Sequence, residues 1–183
     1  MLKYEILPSG EAKVIGVEGK LNTGVVIPRR YKGHIVTRIG RRAFFRQDKI
    51  ESIALPDTIK VIEEQAFYAC YKMTYINLPN SIEEIQERAL CACHSLTAIT
   101  FPDKIEIIKK DMCECCFKLQ QVTFPTNLKA IEDYAFYCTD LIDINLPEGV
   151  KTIGERAFSS HSLQHIHLPD SIEELGKAFL VDC

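Results

Sequence analysis

Proline recurs along this chain at nearly fixed intervals, and that register constrains the fold more than any other feature. Pro56, Pro79, Pro102, Pro125, Pro147 and Pro169 are separated by steps of 23, 23, 23, 22 and 22 residues. Pro28 lies 28 residues before Pro56, which fits one further unit with a short insertion around Tyr31-Lys32-Gly33-His34. An apolar residue stands before each proline: Ile27, Leu55, Leu78, Phe101, Phe124, Leu146 and Leu168. Three residues after each of the last six comes Ile59, Ile82, Ile105, Leu128, Val150 or Ile172, and three further on Ile62, Ile85, Ile108, Ile131, Ile153 or Leu175. An Ala-Phe pair then returns at Ala43-Phe44, Ala66-Phe67, Ala135-Phe136, Ala157-Phe158 and Ala178-Phe179. Self-similarity at a period of this size marks a stack of like units, none of which can bury its apolar side alone.

The segment before each proline reads L-x-x-I-x-L, as in Leu96-Thr97-Ala98-Ile99-Thr100-Phe101 and Leu141-Ile142-Asp143-Ile144-Asn145-Leu146. Alternation about a β-branched centre is the period of a half-buried strand. Proline lacks an N–H and cannot continue a ladder, so it ends each strand and turns the chain. The Ala-Phe stretch, approached through Glu, Gln and Arg, reads as one short helical turn on the opposite side. Stacking the units about 4.8 Å apart would bury the apolar positions as one core. The expected result is a right-handed parallel coil with one strand per repeat on one face and short helical turns on the other.

The unit L-x-x-I-x-L-P-x-x-I-x-x-I-x-x-x-A-F-x-x-C resembles the BspA-like subclass of leucine-rich repeats over roughly residues 25–183. The resemblance implies a leucine-rich-repeat solenoid, a β-dominated member of the α/β repeat class, whose last repeat is incomplete. Tyr4-Glu5-Ile6-Leu7 through Ala12-Lys13-Val14-Ile15-Gly16, around Pro8-Ser9-Gly10, looks like that family's N-terminal β-hairpin cap. Residues 1–24 are accordingly assigned to the cap and 25–183 to the solenoid. Two departures stand out. Ala89-Leu90 and Met112-Cys113 replace Ala-Phe, so packing is expected to drift mid-stack. Thr58, Ser81, Lys104, Asn127, Gly149 and Ser171 stand where ordinary leucine-rich repeats place asparagine, so an asparagine ladder is absent.

Composition narrows the function. The chain has 183 residues, is 46% hydrophobic and 26% charged, and carries a formal net charge of −3. Such a balance gives no global pull toward nucleic acid or anionic membrane. No apolar run approaches the roughly 20 residues that span a bilayer, so membrane insertion is not expected. Met1-Leu2-Lys3-Tyr4-Glu5-Ile6-Leu7-Pro8 lacks the regions of a signal peptide. That leans toward the cytoplasm, or toward the cell surface or secretion if the sequence has been trimmed. A catalytic site is not expected either. There is no Gly-rich phosphate loop, G-x-S-x-G elbow or H-E-x-x-H, and repeat membership accounts for Cys138 in its pairing with His161.

Eight cysteines first suggest a disulfide framework. The repeat answers otherwise for most. Cys70, Cys93 and Cys116 share one position, and Cys138 falls there if one residue is deleted. Buried free Cys behaves as a small hydrophobe, so an inert thiol ladder is expected. Cys91, Cys93, Cys113, Cys115 and Cys116 crowd two consecutive units, which leaves free thiols, a disulfide or a zinc site open.

The residues flanking each strand centre face outward and form two columns. One runs Ser52, Tyr75, Ala98, Gln121, Asp143, His165, and the other Ala54, Asn77, Thr100, Thr123, Asn145, His167. The candidate partner-binding residues are Ser52, Tyr75, Asn77, Thr100, Gln121, Thr123, Asp143, Asn145, His165 and His167. Repeated strands make an extended surface, the usual binding surface of solenoids. For Asp143, His165 and His167, a transition metal, a pH-sensitive contact and ordinary surface remain alternatives. Arg29, Arg30, Lys32, Arg38, Arg41, Arg42, Arg46 and Lys49 concentrate positive charge in the first unit. Without interleaved aromatics this reads as solvated charge, and no nucleic-acid partner or cofactor is expected. The leading expectation is a non-catalytic module that binds a protein partner on the strand face, adhesin-like if the family resemblance extends to function. The alternatives are a self-assembling element that dimerises through an open coil ending at Ala178-Phe179-Leu180-Val181-Asp182-Cys183, and a metal-dependent function built on the thiols or histidines.

Overall fold

The computed structural model describes residues 1–19 and 21–180. The chain winds into a β-solenoid of about 7 turns with parallel stacked strands, and no helix occurs among the described residues. Each L-x-x-I-x-L segment forms the expected short strand: Gly24–Val26, Ser52–Ala54, Tyr75–Ile76, Ala98–Thr100, Gln121–Thr123, Asp143–Asn145 and His165–His167. The central residues Ile53, Ile76, Ile99 and Ile144 point inward and are buried. Pro56, Pro79, Pro102, Pro125 and Pro169 close their strands with a tight turn, the proline carbonyl accepting the N–H three residues on, as in Ile59 to Pro56 at 3.1 Å and Ile82 to Pro79 at 3.0 Å.

Each coil carries two strands, which corrects the expectation of one. After the proline turn the chain pairs again at Val61–Ile62, Glu84–Ile85, Ile107–Ile108, Ala130–Ile131, Thr152–Ile153 and Glu174–Leu175. The isoleucine six places beyond Pro56, Pro79, Pro102, Pro125 and Pro147 is a buried member of this second strand, whereas Leu175 of the last coil is exposed. Two residues per coil are enough because the pairing partner is the neighbouring coil, not the local chain.

The Ala-Phe stretches are tight turns, which corrects the expectation of helical turns. Left-handed residues recur four apart in successive coils: Arg42 and Arg46, Gln65 and Ala69, Arg88 and Ala92, Asp111 and Cys115, Tyr134 and Cys138, all with φ between 52° and 58°. A right-handed helix cannot pass through such positions. The hydrogen bonds explain why they are held. Ala43 and Phe45 donate to carbonyls three residues back, whereas Phe44 and Arg46 donate to Ala66 and Tyr68 of the next coil, both at 2.8 Å. Alternate N–H groups thus belong to the stack, leaving too few for an i to i−4 ladder.

The core is one column. Phe44 stacks on Phe67 at 5.3 Å, and Phe136 on Phe158 at 5.5 Å, with all four rings buried. Leu90 and Cys113 interrupt the ring stack but stay in register and buried. In the Cys113 coil the missing volume comes from the strand side. Phe101 replaces leucine before the proline, is buried, and meets Phe136 edge-on at 6.3 Å. The mid-stack drift is therefore a transfer of bulk across the core, with the coil register kept.

A hydroxyl ladder stands in for the absent asparagines. Thr58, Ser81 and Ser171 each donate to a carbonyl of the preceding coil, at Val36, Ile59 and Val150, over 2.7–2.8 Å. At the N-terminus Leu2–Ile6 and Ala12–Val17 pair antiparallel, and Ala12–Val17 runs parallel to His34–Ile39, continuing the second sheet. The insertion at Lys32-Gly33 makes a two-residue hairpin with both φ positive, at 49° and 87°. Val181, Asp182 and Cys183, on which the expected dimerisation through the last coil rests, lie outside the described residues.

Candidate partner-binding face

The strand face is set by register. Ser52 pairs with Tyr75, Ala98 with Gln121, Thr100 with Thr123, Asp143 with His165 and Asn145 with His167. Because side chains alternate across a strand, burying Ile53, Ile76, Ile99 and Ile144 obliges their neighbours to face solvent. Tyr75, Thr100, Gln121, Thr123, Asp143, Asn145, His165 and His167 are exposed, and Ser52 and Asn77 are half-buried. Tyr75, 58% exposed, is the large aromatic of the face. From Tyr75 to Thr123 both columns carry no formal charge.

The ladder on this face is not continuous. It splits into three groups, between Tyr75–Ile76 and Ala98–Thr100 and again between Gln121–Thr123 and Asp143–Asn145. A shallow hollow opens at each split. One, of about 250 Å³, is lined by Tyr75, Asn77, Leu78, Ala98 and Thr100 with Ile76 and Ile99 at its floor. The other, of about 200 Å³, is lined by Gln120, Gln121, Val122, Ile142 and Asp143. These hollows place Tyr75, Asn77, Thr100, Gln121 and Asp143 at two concave points of the face. The period gave no hint of the splits, since the three apolar positions of the pattern are filled on both sides of each, by Met73, Ile76 and Leu78, by Leu96, Ile99 and Phe101, by Leu119, Val122 and Phe124, and by Leu141, Ile144 and Leu146.

Two candidate residues have local partners. Asn77 brackets the coil before it, its Oδ1 accepting the Leu55 N–H at 2.7 Å and its Nδ2 donating to the Leu55 carbonyl at 2.9 Å. It is therefore part of the scaffold as well as of the face. His165 Nδ1 lies 3.0 Å from Asp143 Oδ1, with both side chains well exposed. No group of three or more His, Cys, Asp or Glu among the described residues is arranged to hold a metal ion.

The thiols follow the stack. Cys70, Cys93 and Cys116 donate to the carbonyls of Phe44, Phe67 and Leu90, one coil back, at 3.2, 3.4 and 3.2 Å. Burial pushes the Cys70 thiol up to about 12 and raises Cys93 and Cys113 as well. Cys138 does not join this ladder, contrary to expectation. Thr139 is the buried residue three places after Phe136, and its hydroxyl donates to the Phe136 carbonyl at 3.0 Å. Cys138 instead occupies the left-handed position shared with Cys115 and Ala92. The shortening of the repeat falls after this turn, not before it. Cys91 donates to Glu114 Oε2 at 3.4 Å.

Four of the basic residues of the first coil, Arg29, Arg30, Arg41 and Arg42, are locally engaged. Arg29 pairs with Asp57 and Arg41 with Glu64, Arg30 donates to the Gly33 carbonyl at 2.7 Å, and Arg42 donates to Gln65 Oε1 while lying 5.1 Å from the Phe45 ring centroid. Charge held this way in water presents a patchwork, not a phosphate track.

No curated protein matches the chain in sequence. Among solved structures, a T. pallidum leucine-rich repeat protein is 29% identical, with a TM-score of 0.92 over 100% of this chain and 86% of that one. A leucine-rich cell surface protein of Faecalibacterium prausnitzii is 25% identical, with a TM-score of 0.70 over 90% of this chain and 52% of that one. The pneumococcal vaccine antigen PcpA, 24% identical, shares the fold with a TM-score of 0.69 over 93% of this chain and 48% of its own. The chain thus spans about half the length of the last two. No helix among the described residues is long and apolar enough to cross a membrane. The cytoplasmic lean drawn from the N-terminus gains no support from relatives of which one is described as a cell surface protein. A family model of the BspA type leucine-rich repeat region matches with six copies over residues 32–137 and 60–183. The chain belongs to the BspA-type leucine-rich repeat family.

Proposed function

We propose that this chain is a non-catalytic interaction module that seats a protein partner across its strand face, in an adhesin-like role at the cell surface. Residues 1–24 serve as the cap of the stack in this reading. The observation that carries it is the pair of hollows opening at the two splits of an exposed, in-register, largely uncharged surface. A partner side chain entering either hollow would meet Ile76 or Val122 at the floor and amide or hydroxyl groups at the rim. Specific interfaces use this arrangement, an apolar anchor ringed by polar contacts. Ser52, Thr123, Asn145, His165 and His167 extend the contact along the stack. BspA-type repeat proteins generally act as interaction or surface proteins, which agrees.

The test compares capture of extracellular-protein panels by the native chain and by a triple variant, Tyr75→Ala, Gln121→Ala and Asp143→Ala. A partner of this face is held by the native chain and by a turn-side control, Lys118→Ala, and is lost from the triple variant. Capture that persists unchanged in the triple variant removes the strand face as the binding site.

A further inference from the structure

Among the described residues, two thiols differ from the other five in where the backbone holds them. Cys115 and Cys138 are partly exposed, whereas Cys70, Cys91, Cys93, Cys113 and Cys116 are buried. Both occupy the second left-handed position of their coils, with φ of 57° and 52°, a place held by Ala69 and Ala92 in the preceding coils. The Cys115 N–H donates to the carbonyl of Tyr137, the residue before Cys138, at 2.8 Å. The same bond joins Ala92 to Glu114 at 2.7 Å and Ala69 to Cys91 at 2.9 Å. This repeated bond fixes the register, so Cys115 and Cys138 stand on adjacent rungs with their side chains leaving the backbone in the same direction. Rungs of a hydrogen-bonded stack lie about 4.8 Å apart. Disulfides form across Cα separations of roughly 4.4–6.8 Å. Burial and the Glu114 carboxylate, together with Cys138 itself, push the Cys115 thiol up to about 11.

We propose that Cys115 and Cys138 form a modification site, a solvent-reachable dithiol that a small-molecule disulfide of the glutathione class converts into a cross-link between consecutive coils. One thiolate attacks a sulfur of oxidised glutathione, forming a mixed disulfide and releasing one glutathione thiolate, which takes up a proton. The second protein thiolate then attacks the protein sulfur of that mixed disulfide and releases the second glutathione. The protein loses two electrons and two protons, and one oxidised glutathione becomes two reduced ones. The raised Cys115 thiol makes the reaction slow at neutral pH and faster in alkali, since only the thiolate attacks. The link closes a loop between neighbouring rungs and opposes peeling of the stack at that point.

The native full-length chain is incubated with oxidised glutathione at pH 8.5, quenched by alkylation, digested without reduction and mapped by mass. The expected product is a Cys115–Cys138 linked peptide lighter by two hydrogens than the two free peptides together, reversed by dithiothreitol. It should be accompanied by a higher melting midpoint under non-reducing conditions. Cys115→Ser, placed at a position that other coils fill with alanine, should keep the β circular dichroism of the native chain. It should accumulate a stable glutathione adduct on Cys138 instead of the link. Glutathione adducts on both cysteines of the native chain without a link, a link through any other cysteine, or no reaction while the chain stays folded would each overturn the proposal.

Discussion

Phe136→Ala tests the continuity of the core where it is most tightly keyed. The Phe136 ring is fully buried, stacks on Phe158 at 5.5 Å with the planes 3° apart, and receives the edges of Phe101 at 6.3 Å and Phe124 at 5.8 Å. Truncating a buried phenylalanine destabilises by about 3–5 kcal/mol, the spread reflecting how far the surroundings collapse. Collapse is restricted here. The coil is held on both sides, by the Phe136 N–H to Ala157 at 2.8 Å and the Cys113 N–H to Ala135 at 2.7 Å. The loss should therefore fall in the upper half of that range, about 4–5 kcal/mol. A double-mutant cycle with Phe158→Ala should return a coupling of about 0.5–1.5 kcal/mol from the stacked pair. Urea unfolding followed by circular dichroism measures both values. Native-state hydrogen exchange should show faster exchange in the two coils that flank Phe136, and little change in the N-terminal hairpin, because each coil touches only its neighbours. A loss below about 1 kcal/mol would refute the keyed core, and an equal rise in exchange along the whole chain would refute the nearest-neighbour stack.

Three further outcomes are expected. Asn77→Ala removes both bonds to the Leu55 backbone and should lower stability by about 1–3 kcal/mol, whereas Thr100→Ala on the same face should lie within about 0.5 kcal/mol of the native chain in the same melt. Ala92→Gly should leave stability unchanged or raise it, because Ala92 has φ of 58° and glycine enters that region without strain. A helical Ala92 would instead lose about 1 kcal/mol on the same change. The Asp140 carboxyl is held below its usual range by the hydroxyl of Ser162 and then by the Gln120 amide. Its stabilising contribution is therefore complete above the ordinary carboxylate range and is lost as pH falls through its folded-state value. Ser162→Ala with Gln120→Ala should flatten that part of the acid-side stability curve, and an unchanged curve would count against the two bonds.

Much of this fold is readable because a solenoid repeats its reasons. Leu55, Leu78, Phe101, Phe124, Leu146 and Leu168 stand before prolines in one register, and each proline ends its strand as the missing N–H requires. The alternation that places Ile53 and Ile144 inside also gives the outward columns, so the candidate face could be named residue by residue. The turn side was less legible. Glu, Gln, Arg and Ala favour helix in isolation, and the left-handed residues Gln65, Arg88 and Tyr134 carry no glycine or asparagine signal. Their conformation is imposed by carbonyls of the adjacent coil, a force that no single repeat contains. Cys138 was misplaced for a related reason, since the period reports that a residue is missing but not at which turn.

The proline register by itself determined that this chain stacks like units around one column, which side of each strand faces the core, and which residues line the outer face. Only the tertiary structure decided that each coil has a second strand, that the Ala-Phe segments are left-handed turns, and that the strand face splits at two hollows. The same holds for the neighbouring places of Cys115 and Cys138. The physical reason is common to all of these. Periodicity records what every repeat must bury, whereas turn conformation and local register depend on hydrogen bonds between coils, which exist only once the coils are stacked.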